Sequence, residues 1–168
     1  DRMFNLEEDE FDADKEYDQI VEPQTKLGDL YQLGNHRLLC GDSILKESFK
    51  RLMQGEKAQM IFTDPPYNVG YDYRPFRGRK RDKSTTPPTF NDKKTDKEFQ
   101  DFINKVMELG YKFSMDYAPF YLWFASKNEI YVRQGIESAK WHIAQTIIWL
   151  KDRIMFSPGQ DYHRIYEP

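Results

Sequence analysis

Asp64-Pro65-Pro66-Tyr67 is the stretch of this 168-residue chain whose residue types point most directly to chemistry. Two consecutive prolines remove two backbone donors and fix φ at both positions. An ionised aspartate accepts hydrogen bonds and donates none. The stretch therefore presents acceptors, the Asp64 carboxylate and the Pro65 carbonyl, beside the flat ring of Tyr67. Such a set suits an amino group on a planar ring, as in adenine or cytosine. The lone pair of that amine is delocalised into the ring and is a weak nucleophile. Two acceptors gripping both N–H bonds favour a pyramidal nitrogen with a localised lone pair, able to attack a methyl-cation equivalent in line. Tyr67 would stack on the ring. A paired base cannot reach such a pocket and must be turned out of the duplex, at a cost of roughly a few kcal/mol. The competing reading is a rigid loop, with Asp64 capping backbone amides and Tyr67 as a surface aromatic.

The motif needs elements that hold it. Ala58 to Thr63 is mostly apolar without clean alternation, as expected of a strand covered on both faces. It runs straight into Asp64. Upstream, Leu30 to Leu33 lies between Gly28 and Gly34-Asn35 and predicts a small hairpin. Arg37 to Cys40 is a short apolar strand closed by Gly41-Asp42-Ser43. Ser43 is the expected N-cap of a helix carrying Ile44, Leu45, Phe49, Leu52 and Met53 at helical spacing. Asp96 to about Tyr111 is amphipathic, with Phe99, Phe102, Ile103, Val106, Met107 and Leu109 apolar. Pro119 to Phe124 predicts a strand, Asn128 to Ala139 a helix, and His142 to Leu150 a long β-rich run. Tyr162 to Tyr166 begins a further strand after the Ser157-Pro158-Gly159 turn. Alternation of this kind predicts an α/β fold, a parallel sheet with helices on both faces. Ligands of such sheets bind off the carboxyl ends of the strands. Gly41-Asp42-Ser43 and the Asp64 turn are both expected there.

Composition narrows the class. Aromatic residues are 15% of the chain, which argues against disorder because each ring buries a large surface. No run approaches the length of a membrane span, and no signal peptide opens the chain; a cytoplasmic location is expected. One cysteine, Cys40, excludes an internal disulfide and a multi-cysteine metal site. Cys40 has no adjacent base and reads as a small apolar residue. The three histidines have no metal-ligand spacing. Trp123 and Trp149 read as core residues.

The net charge of −3 hides an asymmetry: residues 1–22 hold ten acids and two bases, so the remainder is mildly basic. Residues 1–25 read as an acidic arm or linker. Residues 71–97 hold nine bases against four acids, with Tyr71, Tyr73, Phe76 and Phe90 interleaved. Within the basic loop over 71–95, expected to be mobile, Arg74, Arg77, Arg79, Lys80 and Arg81 are candidates to follow DNA phosphates.

From about Lys26 to Pro168 the chain resembles the β-class DNA amino-methyltransferases, which transfer a methyl group from S-adenosylmethionine to exocyclic nitrogens of DNA bases. The likeness is carried by Leu27 to Ser43, by Ile61-Phe62-Thr63-Asp64-Pro65-Pro66-Tyr67-Asn68, and by Tyr162 to Pro168. The resemblance implies a Rossmann-like sheet, S-adenosylmethionine as cofactor and double-stranded DNA as partner. It implies that Asp42 holds the cofactor's adenine amine and that Asp64 lies against both cofactor and target. Asp64, Pro65, Pro66 and Tyr67 become the catalytic turn, and His163 a candidate for the base pocket. Asp in the first position and Tyr in the last favour adenine N6; cytosine N4 is the alternative, and a DNA-binding module without catalysis a second. The family's Phe-x-Gly-x-Gly cofactor loop is absent, since no two of the nine glycines lie closer than six positions. In that class the loop follows the target-recognition region. The chain is therefore expected to be the catalytic half of a longer enzyme, with an incomplete sheet and little activity alone.

Overall fold

A computed structural model describes residues 24–70, 92–155 and 164–167, together with 12, 15, 19 and 22. The chain divides into two units, Asp1–Gly41 and Asp42–Pro168. In the first, β1 (Leu30–Leu33) and β2 (His36–Leu39) form an antiparallel hairpin. Gly34 supplies the positive φ that its two-residue turn needs (60°). Cys40 is half-buried and continues the pairing, its N–H donating to the Asp29 carbonyl at 2.9 Å and its carbonyl accepting from Gly28 N–H at 2.7 Å. The strand over Arg37 to Cys40 is thus half of a hairpin and not the first strand of a parallel sheet.

The second unit is built on a β–α–β crossover. β3 (Ile61–Thr63) leads into the Asp64 turn, and α2 (Asp96–Phe113) returns the chain to β4 (Phe120–Leu122). α1 (Lys46–Met53) precedes them. β3 and β4 pair in parallel, with Ile61 opposite Phe120, Phe62 opposite Tyr121 and Thr63 opposite Leu122. The ladder extends at both ends, from Ile61 N–H to the Pro119 carbonyl (2.9 Å) and from Trp123 N–H to the Thr63 carbonyl (3.1 Å). A single 3₁₀ turn, Ser126–Asn128, then opens α3 (Glu129–Ser138). Beyond it, β5 (Trp149–Met155) pairs antiparallel with β6 (Arg164–Glu167).

Packing follows the periodicity of α2. Phe99, Ile103 and Met107 recur every four residues and meet Val132 of α3; all are 3% exposed or less. Complete burial of such side chains stabilises by about 1.5–3 kcal/mol each. Phe49 of α1 stacks on Phe113 at the far end of α2, with ring centroids 5.1 Å apart. Two glycines make the contacts close. A Cβ on Gly110 would lie 2.5 Å from the Phe120 ring and 3.1 Å from Ile61, so α2 sits hard against the parallel pair. A Cβ on Gly135 would lie 2.6 Å from Ile103, so α3 sits hard against α2. Trp141 closes the end of the core, edge-on to Phe120 and donating from its indole N–H to the Met107 carbonyl (3.0 Å).

α2 begins at a capping box. Thr95 Oγ1 accepts from Glu98 N–H (3.3 Å), and the Glu98 carboxylate accepts from Thr95 N–H (2.8 Å). Those Thr95 bonds hold the Glu98 pKa below its ordinary value. The box is therefore intact at neutral pH and weakens as pH falls through that lowered value.

Several expectations need correction. Among the described residues the strands form three two-stranded ladders, of which one is parallel. A sheet covered on both faces is not seen: α2 packs on the side of Ile61 and Phe120, while Phe62 on the other side is 64% exposed. Ser43 does not cap α1. Leu45 occupies that position without a side-chain bond, because Asp42 spends residues 42–45 on its own turn. The run from His142 is irregular as far as Ile148. Its β-branched residues have no neighbouring strand there, and propensity without a ladder partner does not make a strand. Trp149 starts β5 and is 55% exposed, not core.

In an open helix Gly→Ala is worth about 1 kcal/mol of added stability. At Gly110 and Gly135 the new methyl meets a packed ring and a core isoleucine, and overpacking costs roughly 1–3 kcal/mol. We expect Gly110→Ala and Gly135→Ala each to lower stability in denaturant titration. Stabilisation by either would show that these helix contacts are loose.

Candidate functional site

The Asp64 turn leaves the carboxyl end of β3, and residues 123–128 leave the carboxyl end of β4. Parallel pairing brings both segments to one edge of the ladder. Side chains alternate along a strand, which sets Asp64 on the same side as exposed Phe62, away from α2. Asp64 is exposed, whereas Pro65, Pro66, Tyr67 and Asn68 are half-buried. Among the described residues no donor reaches the Asp64 carboxylate or the Pro65 carbonyl. The alternative in which Asp64 caps backbone amides is therefore not what the structure displays. On the exposed side of the strand pair, Phe62 lies edge-on to Trp123 (4.7 Å) and tilted to Tyr121 (6.2 Å).

The residues after the turn are heavily bonded. Asn68 takes a left-handed φ of 56°, which asparagine tolerates better than most residues. Its side chain accepts from Lys94 N–H (2.6 Å) and donates to the Lys94 carbonyl (3.1 Å). Asp92 Oδ1 accepts from Asn68 N–H (2.8 Å) and Val69 N–H (3.4 Å), and the Asp92 carbonyl accepts from Gly70 N–H (3.0 Å). Asn128 Nδ2 donates to the Tyr67 carbonyl (2.5 Å) and the Asn68 carbonyl (3.4 Å). Asp92 and Asn128 are 6% and 8% exposed, among the few buried polar residues.

Neither residue stands out in the sequence reading. Asp92 is one acid in a basic stretch, and Asn128 looks like the start of a helix. The available signal is that Asn128, a favoured capping residue, makes no cap bond to α3; its amide is used elsewhere, which only coordinates reveal.

Asp42 is exposed, and its Oδ1 accepts from Ile44 N–H (3.0 Å). Its other oxygen has no partner among the described residues, so the side chain fits an acceptor of a cofactor amine. Arg74, Arg77, Arg79, Lys80, Arg81 and His163 lie outside the described residues, as does most of the acidic arm. Gly70, just before the basic stretch, and Asp92, within it, are described and are bonded to each other. A groove of about 370 Å³ lies along β4 and the segment after it, among Tyr121, Leu122, Trp123, Val132, Ile136 and Trp141; no residue of the Asp64 turn lines it. Among the described residues no helix is long and apolar enough to cross a membrane, and no three metal-ligating side chains cluster.

With this geometry in view, the comparison with known families is informative. Residues 58–168 match the N6/N4 DNA methylase family, and the chain belongs to it. The match begins at the residue that bridges to Ser114 ahead of β3 and takes in the turn, the crossover and α3. No curated protein and no solved structure matches the chain.

Asn68 combines a left-handed backbone with side-chain bonds to Lys94. A non-glycine, non-asparagine residue in that conformation costs roughly 1–2 kcal/mol. Asn68→Ala is expected to lose more stability than Asn68→Gly by about that amount, measured in parallel urea titrations. Equal losses would mean that the side-chain bonds alone matter and the backbone there is relaxed.

Proposed function

We propose that this chain supplies the catalytic turn for methyl transfer from S-adenosylmethionine to the N6 amine of an adenine turned out of duplex DNA. The observation that supports this most is the exposed, unspent Asp64 carboxylate beside the Pro65 carbonyl, at the carboxyl edge of a parallel strand pair in a DNA methylase. In this reading the β3–α2–β4 crossover belongs to a Rossmann-like sheet. The Asp-first, Tyr-last form of the turn favours adenine over cytosine.

S-adenosylmethionine, when bound, supplies an electrophilic methyl group, with Asp42 as acceptor for its adenine amine. The remaining work falls to the chain. Asp64 and the Pro65 carbonyl accept the two N–H bonds of the target and localise its lone pair. Preorganised acceptors lose little reorganisation energy at the moment of reaction, which is why such groups count for more in a site than in water. Tyr67 stacks on the base. As the new N–C bond forms, the sulfur–methyl bond of the donor would break, its electron pair staying on sulfur as a neutral thioether, and the nitrogen sheds a proton to the Asp64 carboxylate. Exposure of that side chain lets solvent remove the proton. Arg74, Arg77, Arg79, Lys80 and Arg81 follow the DNA phosphates, and His163 borders the base.

The test uses the intact methylase, labelled cofactor and duplex DNA, followed by nucleoside analysis. N6-methyladenine is expected, and N4-methylcytosine alone would overturn the choice of base. Asp64→Asn should keep DNA affinity and lose roughly 10²–10³-fold in turnover, the usual cost of removing one preorganised polar group. Turnover like the wild type would overturn the role of Asp64. If basic residues contact phosphates, affinity should fall steeply with salt; a flat salt response would remove them from the interface.

A further inference from the structure

Pro65 and Pro66 bring no N–H, so the turn cannot hold itself with its own donors at those positions. It is held from outside, at both ends. The Thr63 carbonyl, just before it, accepts from Trp123 N–H at 3.1 Å. The Tyr67 and Asn68 carbonyls, just after it, accept from the Asn128 amide. Both anchors belong to the short segment that leaves β4. Between them stand two residues of fixed φ, a stiff bridge that carries Asp64 and the Pro65 carbonyl.

The peptide after Tyr67 is fixed from its other side as well. Successive N–H groups of Asn68 and Val69 converge on one carboxylate oxygen of Asp92. This is a nest-like concavity, the kind of backbone arrangement that takes an anion. Burial of a carboxylate and an amide costs free energy unless hydrogen bonds offset it. Asn128 does not recover that cost by capping α3. Its bonds to the turn are what hold it there.

We propose that Asn128 and Asp92 are positioning residues for methyl transfer, setting the Asp64 and Pro65 acceptors at the spacing the target amine needs. The inference rests on the function proposed above. Both side chains bond the main chain of the turn, and it is through that backbone that they act.

Asn128→Asp tests this with an isosteric change that replaces the donor by an oxygen facing two carbonyls. Its kcat should fall about a hundredfold, the scale of a misplacement near 1 Å, with KM for DNA and for cofactor nearly unchanged. Asn128→Ala, which also lacks the donor, should show the same split. Asp92→Asn keeps an acceptor in place and should restore most of the kcat lost in Asp92→Ala; this pair decides the matter if Asn128→Asp fails to fold. An active wild type with wild-type kcat in Asn128→Asp overturns this inference alone. Equal kcat losses in both Asp92 variants, tracking their melting temperatures, would also overturn it. A wild type that methylates neither adenine nor cytosine overturns the proposed function, and the positioning role with it.

Discussion

Parallel pairing of β3 with β4 forces two strand ends to the same edge, and the site depends on that constraint. An antiparallel pair would send the two segments to opposite ends. Here the residues leaving β4 lie where they can brace the residues leaving β3, through Trp123 N–H and the Asn128 amide. Two close helix contacts support the pair from one side. Gly110 lets α2 rest on Phe120 and Ile61, and Gly135 lets α3 rest on Ile103. Because Asn128 is fixed at the start of α3, the packing of α3 on α2 also helps to fix the turn.

The polar groups around the turn divide sharply. Asp92 and Asn128 are buried and bonded to main chain; Asp64 is exposed and bonded to nothing among the described residues. A carboxylate left in solvent beside a stiff, braced backbone is an acceptor waiting for a donor. The same burial that makes Asp92 and Asn128 rigid would make either one a poor ligand group. The buried braces and the exposed acceptor are therefore different residues, far apart in the chain and brought together by the fold.

Much of this was legible from residues alone. The strand before the Pro-Pro turn was readable from its apolar run, and the periodicity of Phe99, Ile103 and Met107 identified α2 and its buried face. The exposed acceptors of the turn were legible because two prolines bring no N–H and an aspartate only accepts. What escaped were long-range partners. Asn128 lies sixty positions from Asn68, and local sequence holds no trace of their bond. The Thr95–Glu98 capping box was readable in principle, as Thr followed three residues later by Glu, but the neighbouring charges drew the eye to DNA. The β-branched run from Ile143 to Ile148 misled for the opposite reason. Propensity is local, whereas a strand requires a partner, and these residues have none among the described residues.

The most direct test is a crystal structure of the protein with a duplex whose target base is extruded and with a non-reactive cofactor analogue. The expected result is the exocyclic nitrogen of adenine within about 3 Å of both an Asp64 carboxylate oxygen and the Pro65 carbonyl, the ordinary hydrogen-bond distance. A base bound with its amine facing other groups, and Asp64 folded back onto main-chain amides, would contradict the account.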